Sequence, residues 1–273
     1  MLDSSTLSAL QDRAKIVRRH IVRMVHRANS GHVGGSLGAA DIVVALYFHL
    51  MRHDPTRPHW AERDRFVLSK GHCTPVIYAT LGEAGYFPLE DLETFRRPGS
   101  YLQGHPYQPK TPGIDASTGT LGLGLSTAAG MALGGKLRGG AQTYFVLCGD
   151  GESQEGQIWE AAMFASKYQL GNLIAFTDRN RLQTDGDTED VMPLEPLAAK
   201  WRGFGWQVLE IDGHDFNQIT AAVAEAKADP ARPAMIIANT TKGKGVSFME
   251  NVALWHGNPP NREQHDRALQ ELA

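Results

Sequence analysis

The chain has 273 residues, with 27 Lys and Arg against 30 Asp and Glu and a formal net charge of −3 at pH 7. That length suits one large α/β domain or two small ones, and the balanced charge supplies no basic face for nucleic acid or an anionic membrane. Two cysteines argue against a disulfide framework, and no stretch reaches the ~20 apolar residues that span a bilayer, so the reading is a soluble protein in a reducing, cytoplasmic setting.

In chain order, the first segment reads as a helix with Val17, Ile21, Met24, Val25 and Ala28 on its apolar face. The basic cluster Arg13, Lys15, Arg18, Arg19, Arg23 and Arg27 reads as its solvated side. Short apolar runs bounded by turn residues predict strands at 66–68, 144–147, 173–176, 208–211 and 235–237, with Cys73 and Cys148 each at the end of a buried strand. Helical patterns lie between most of them, as in Ile158, Ala161, Ala162, Ala165 and Tyr168, or Ile219, Ala222, Val223 and Ala226. Strands apolar on both faces, separated by amphipathic helices, predict a doubly wound α/β fold with a mostly parallel sheet. The whole chain, 1–273, reads as one domain with a helical segment of about residues 1–60 packed on it. Residues 97–118, rich in Pro and Gly, predict a long loop of the kind that is functional or disordered.

The chemically interesting residues fall at the predicted strand ends, where ligands of such folds bind. Gly71-His72 follows the first strand, Asp150 the second, Asn180 the third and Asp212-Gly213-His214-Asp215 the fourth. A lone Gly-Asp-Gly is a turn. With an Asn closing the next strand thirty positions later, it can instead build a magnesium–diphosphate clamp. Magnesium takes six oxygens, so Asp150, the Asn180 amide oxygen and one backbone carbonyl leave room for two diphosphate oxygens and a water.

His32, His72, His105 and His256 each stand beside a glycine. One such histidine is a surface or capping residue, whereas four on separate segments favour a shared site; no helical His pair or Cys-x-x-Cys points to zinc. Gly119, Gly122 and Gly124 reverse the order of a dinucleotide fingerprint and follow a loop, so nicotinamide is not expected. The small-residue run 126–135 suits either close packing on another chain or internal packing. Glu152, Glu155 and Glu160 open the helix after the clamp, where acids complement the helix dipole, and that account suffices for Glu152. Lys242-Gly243-Lys244-Gly245 reads equally as a phosphate grip or a flexible basic loop.

Taken in order, several motifs resemble the diphosphate-binding part of transketolases. They are Ala28-Asn29-Ser30-Gly31-His32, residues 64–72 ending Ser69-Lys70-Gly71-His72, Gly104-His105-Pro106, Gly119-Thr120-Leu121-Gly122-Leu123-Gly124, Gly149-Asp150-Gly151-Glu152 with Asn180, Ile211-Asp212-Gly213-His214-Asp215 and Trp255-His256-Gly257. The resemblance covers about residues 28–261 and implies a thiamine-diphosphate-binding domain of the diphosphate type. It implies that Asp150 and Asn180 bind magnesium by side chain and Leu182 by its carbonyl. Gly151 would meet the diphosphate, His72 and His256 would contact it as well, and Gly119 and Leu121 would face the cofactor, although the family usually has Pro where Thr120 stands. His32, His105 and His256 would bind substrate hydroxyls or move protons, and Glu155 and Glu160 would lie in a carboxylate network near a subunit interface.

The activity implied is transfer of a two-carbon ketol unit between sugar phosphates. A complete transketolase continues into a pyrimidine-binding domain, so the resemblance implies one subunit of a split enzyme whose partner supplies that domain, with two copies of each chain. The residues leave open the α subunit of a 2-oxoacid dehydrogenase, a deoxyxylulose-phosphate synthase-like enzyme or a non-catalytic phosphate-binding regulator. The histidine motifs favour transketolase.

Overall fold

The computed structural model describes residues 1–273. Helix α1 (Ser4–Ala28) starts where the Asp3 carboxylate accepts the Thr6 N–H at 2.8 Å and ends at Asn29, whose left-handed φ of 46° turns the chain away. Short α2 (Val33–Gly38) and α3 (Ala40–Ala45) follow. Then come β1 (Arg65–Leu68), α4 (Thr74–Glu83), α5 (Leu123–Leu137), β2 (Tyr144–Gly149), α6 (Gly156–Lys167) and β3 (Leu173–Arg179). A two-residue hairpin of β4 (Leu182–Gln183) and β5 (Gly186–Asp187) leads through α7 (Thr188–Val191) and α8 (Leu197–Gly203) to β6 (Gln207–Asp212). The chain closes with α9 (Phe216–Lys227), β7 (Ala234–Asn239) and α10 (Arg262–Glu271).

The main sheet has strand order β1-β2-β3-β7-β6 and every pairing in it is parallel. All five predicted strands are present. Alternation along them separates two apolar layers: Phe66, Leu68, Phe145, Leu147, Ile174, Phe176 and Ile236 face the layer of α1, α3, α4 and α9. Val67, Val146, Cys148, Leu173, Ala175, Met235 and Ile237 face α5, α6 and α8, where Trp201 and Trp206 pack. With helices on both faces, the central strands β2, β3 and β7 are buried on both sides, which is why their runs are apolar, whereas the edge strand β6 is only partly covered.

Three local expectations change. Arg18 is not on a solvated face: it is buried, with two donors on the Asp41 carboxylate at 3.0 and 2.5 Å. Arg13 pairs with Glu83, and Arg19 reaches the carbonyls of Leu269 and Leu272 at the end of α10. Cys73 lies in the turn that opens α4 rather than at a strand end; both cysteines are buried and free. The hairpin β4–β5 has no counterpart among the predicted strands, since strands of two residues leave no period to read. The 97–118 loop has no helix or strand and is fastened by Asp115, which accepts from Arg63 at 2.5 and 3.1 Å and from the Phe66 N–H at 2.9 Å. No helix is long and apolar enough to cross a membrane.

Candidate functional site

The carboxyl ends of the parallel strands and the loops beyond them enclose a cavity of about 370 Å³. His32, His72, His105 and His256 all line it, as do Gly119, Leu121, Asp150, Gly151, Asn180 and Leu182. Sequence spacing could only suggest this convergence. A roomier groove of about 580 Å³ between α1 and α10 holds none of these residues.

Three of the histidines form a triangle. Ring centroids lie 4.8 Å apart for His32 and His72, 5.5 Å for His32 and His256, and 5.3 Å for His72 and His256. The approach needs bare backbone: a Cβ on Gly34 would sit 2.7 Å from the Trp255 carbonyl oxygen, and the Gly243 N–H donates to Gly34 O at 2.9 Å. His105 is exposed at the rim, against Gly119, whose φ of 142° and 2.7 Å clearance to the imidazole exclude a side chain.

Burial holds the three packed rings neutral. It lowers His32 to about 3 with help from His72 and Arg96, His72 to about 4 with help from Lys70, and His256 to about 3 with help from Lys242 and His72. Burial and Arg96 lower His105 too. Neutral rings both accept and donate at neutral pH. His32 Nδ1 is buried without a partner, a polar atom left for a ligand.

At the clamp, Asp150 Oδ1 accepts the Gly151 N–H at 2.8 Å and Oδ2 accepts the Arg181 N–H at 2.6 Å. Asn180 Oδ1 accepts the Leu182 N–H at 3.1 Å, while its amide nitrogen donates to Asp178 at 3.1 Å. Both oxygens therefore gather at the 180–182 turn. Burial and the neighbouring Asp178 carboxylate raise the Asp150 pKa, so its ionised form calls for a cation. Asp178 itself is matched: it accepts from Lys70 and Thr240, and against burial, which would raise its pKa, Lys70, Thr240 and Lys242 together lower it. One carboxylate, one amide oxygen and a nearby carbonyl suit a hard divalent ion that keeps oxygens from phosphate and water. A Cβ on Gly151 would meet Gln183 at 3.2 Å, so a side chain there would crowd the cavity wall, and the Gly151 N–H is held by Asp150 Oδ1.

Several residues of the site depart from what their sequence context suggests. Glu152 is no dipole complement at a helix start: it is buried and accepts from Ser69 Oγ at 2.5 Å and from the Gly122 and Gly149 N–H groups at 2.9 Å each. It thereby ties the end of β1, the 119–124 loop and the end of β2 together. Lys242 is not in a flexible loop either: it is 2% exposed, lines the cavity and sits 3.0 Å from His256 Nδ1. Lys244 faces outward, 3.9 Å from Glu250. His214 stays out of the cavity and braces it, bonding Asp41 at 2.7 Å and accepting the Thr241 N–H at 2.8 Å. Glu155 lines the cavity, whereas Glu160 lies in a neighbouring cleft beside Gly130 and Phe164. Lys70 also lines the cavity, and its place within the Ser69-Lys70-Gly71-His72 motif is a signal that sequence reasoning left unused.

The family model described as transketolase, thiamine diphosphate binding domain, matches residues 10–272. The chain belongs to the transketolase family. The alternative readings as a 2-oxoacid dehydrogenase or deoxyxylulose-phosphate synthase relative give way to this match. It is 49% identical over 263 residues to the 6-deoxy-6-sulfo-D-fructose transketolase subunit of Clostridium sp. strain MSTE9, covering 96% of each chain. It is 44% identical over 256 residues to an apulose-4-phosphate transketolase subunit from Phocaeicola vulgatus, covering 94% of this chain and 91% of that one. Among solved structures, transketolase from Campylobacter jejuni superposes with a TM-score of 0.92 at 36% identity, over 97% of this chain and 43% of that one. The Pichia stipitis transketolase complex with sedoheptulose-7-phosphate gives 0.93 at 34% identity, over 97% and 41%. The chain is a transketolase subunit of the thiamine-diphosphate-dependent class, and transketolases use that cofactor with a divalent metal.

Proposed function

We propose that this chain binds the diphosphate of thiamine diphosphate through magnesium. In this reading it transfers a two-carbon ketol unit between anionic sugars, sugar phosphates in the first instance, together with a separate chain that carries the pyrimidine-binding domain. The observation that carries the reading is the convergence of Asp150, Asn180 and four histidines on one cavity. The residues fit the cofactor: a buried carboxylate whose pKa is raised even with Arg179 3.4 Å away, the Asn180 amide oxygen at the same turn and an orphaned His32 nitrogen.

When bound, the cofactor supplies the carbon nucleophile that carries the ketol unit. Asp150, Asn180 and the Leu182 carbonyl would hold the metal, and Gly151, His72 and His256 the diphosphate. Gly119 and Leu121 would wall the cofactor. His32 and His256, kept neutral by burial, and His105 at the rim would orient substrate hydroxyls and pass protons at their free ring nitrogens. Relatives named for 6-deoxy-6-sulfo-D-fructose and apulose-4-phosphate support a substrate range of anionic ketoses. We read residues 1–273 as a single domain, two copies of each chain in the assembly, and a cytoplasmic setting in keeping with two free thiols. The test mixes the chain with its partner and follows ketol transfer. Activity only in the mixture supports the division of labour, and activity of this chain alone refutes it.

A further inference from the structure

Arg179 ends β3 with its side chain 1% exposed. A guanidinium buried this deeply persists where its donors are met, and here both Nη groups are met while Nε has no partner. Nη1 donates to Thr188 Oγ1 at 2.7 Å and to Asp150 Oδ2 at 3.4 Å, while Nη2 donates to Glu189 and Glu195, each at 3.0 Å. Both glutamates belong to the segment 181–196, which holds β4, β5 and α7. Glu189 also accepts the Leu194 N–H at 3.1 Å, and Glu195 accepts the Leu197 N–H at 2.8 Å, so the two carboxylates are built into the segment's far end.

The near end of the same segment forms part of the cavity wall, through Leu182, Gln183 and Thr184. There the Arg181 N–H donates to the Asp150 oxygen that Arg179 also approaches. A second fastening is polar: Gln154 Nε2 reaches Gln183 Oε1 and the Met192 carbonyl, both at 2.8 Å. One guanidinium therefore touches the start of the wall through Asp150 and the end of it through two carboxylates.

We propose that Arg179 is a positioning residue: it clamps segment 181–196 as a fixed wall over the cavity and orients the Asp150 carboxylate, with Glu189 and Glu195 as its outer anchors. The identity of what the wall covers rests on the proposed function; the clamping does not.

The test uses the full chain with Glu189→Gln and Glu195→Gln together, side chains that do not line the cavity. In ligand-free amide hydrogen exchange, Arg181, Leu182 and Gln183 are expected to exchange at least ~10-fold faster. The amides of β2 and β3 should keep their rates. Unchanged exchange at Arg181 to Gln183 overturns the proposal, and so does uniform acceleration through β2 and β3, the mark of general destabilisation. Arg179→Lys, which keeps the charge and loses the fork, should open the same amides; if it fails to fold, the double variant decides alone. With magnesium and thiamine diphosphate as the probe and the pyrimidine-domain partner present, the double variant should bind ~10-fold more weakly than the unaltered assembly. Opening without a change in affinity overturns the positioning role. Failure of the unaltered assembly to bind the probe counts against the cofactor reading, and the exchange rates still decide this one.

Discussion

Lys242 Nζ lies 3.0 Å from His256 Nδ1 and the two side chains share the wall of one cavity. The amine donates, so the neutral ring carries its own proton on Nε2. After burial, this cation is the largest influence holding the His256 pKa near 3. Lys242→Met should therefore raise that pKa by about one unit, as loss of a cation at hydrogen-bond distance does. Histidine-resolved NMR titration checks it, and an unmoved midpoint would show that burial alone sets the value.

Glu152 joins three strand-end segments through three accepted hydrogen bonds. Glu152→Ala leaves two backbone N–H groups and one hydroxyl without that acceptor, an expected loss of about 2 to 4 kcal/mol. Urea denaturation measures it. A loss within a few tenths of a kcal/mol would mean that water replaces the carboxylate at no cost.

Gly34 admits the Trp255 carbonyl where a methyl group would stand 2.7 Å from it. Because the obstacle is backbone, Gly34→Ala must push the 255–257 segment away, at a cost of about 2 kcal/mol. The displacement should also part the His32 and His256 rings, now 5.5 Å apart. A crystal structure of the variant with both rings in place would refute the close-approach account.

Stability should fall in mild acid. His32, His72 and His256 have folded pKa values of about 3, 4 and 3 against an ordinary 6.5. Between those values the unfolded chain binds more protons, so stability rises with pH there. The contribution is complete above ~6.5 and is lost as pH falls through the folded values. After discounting for the partial solvent access of these rings, the loss from pH 7 to pH 5 is about 2 to 4 kcal/mol. A urea midpoint that stays level or rises over that interval contradicts neutral burial of the triad.

Much of the fold is legible in the sequence because a parallel sheet covered on both faces writes continuous apolar runs, and 66–68, 144–147 and 173–176 are such runs. The clamp is legible because Asp150 and Asn180 occupy equivalent ends of adjacent strands, where Gly149 pairs with Asp178. Glu152, Arg18 and Arg179 are not: a buried charge looks like a surface charge until its partner is known, and their partners Ser69, Asp41 and Glu195 stand 83, 23 and 16 positions away. Lys242 is ambiguous for the same reason, since Gly neighbours suggest mobility and only packing shows a fixed ammonium beside His256.

The most direct measurement of the central claim is calorimetric titration of thiamine diphosphate, in magnesium buffer, into the assembly of this chain with its pyrimidine-domain partner, for the unaltered protein and for Asp150→Ala. The clamp predicts saturable, magnesium-dependent binding that the substitution abolishes. Equal affinity in the two proteins, or binding indifferent to magnesium, would contradict it.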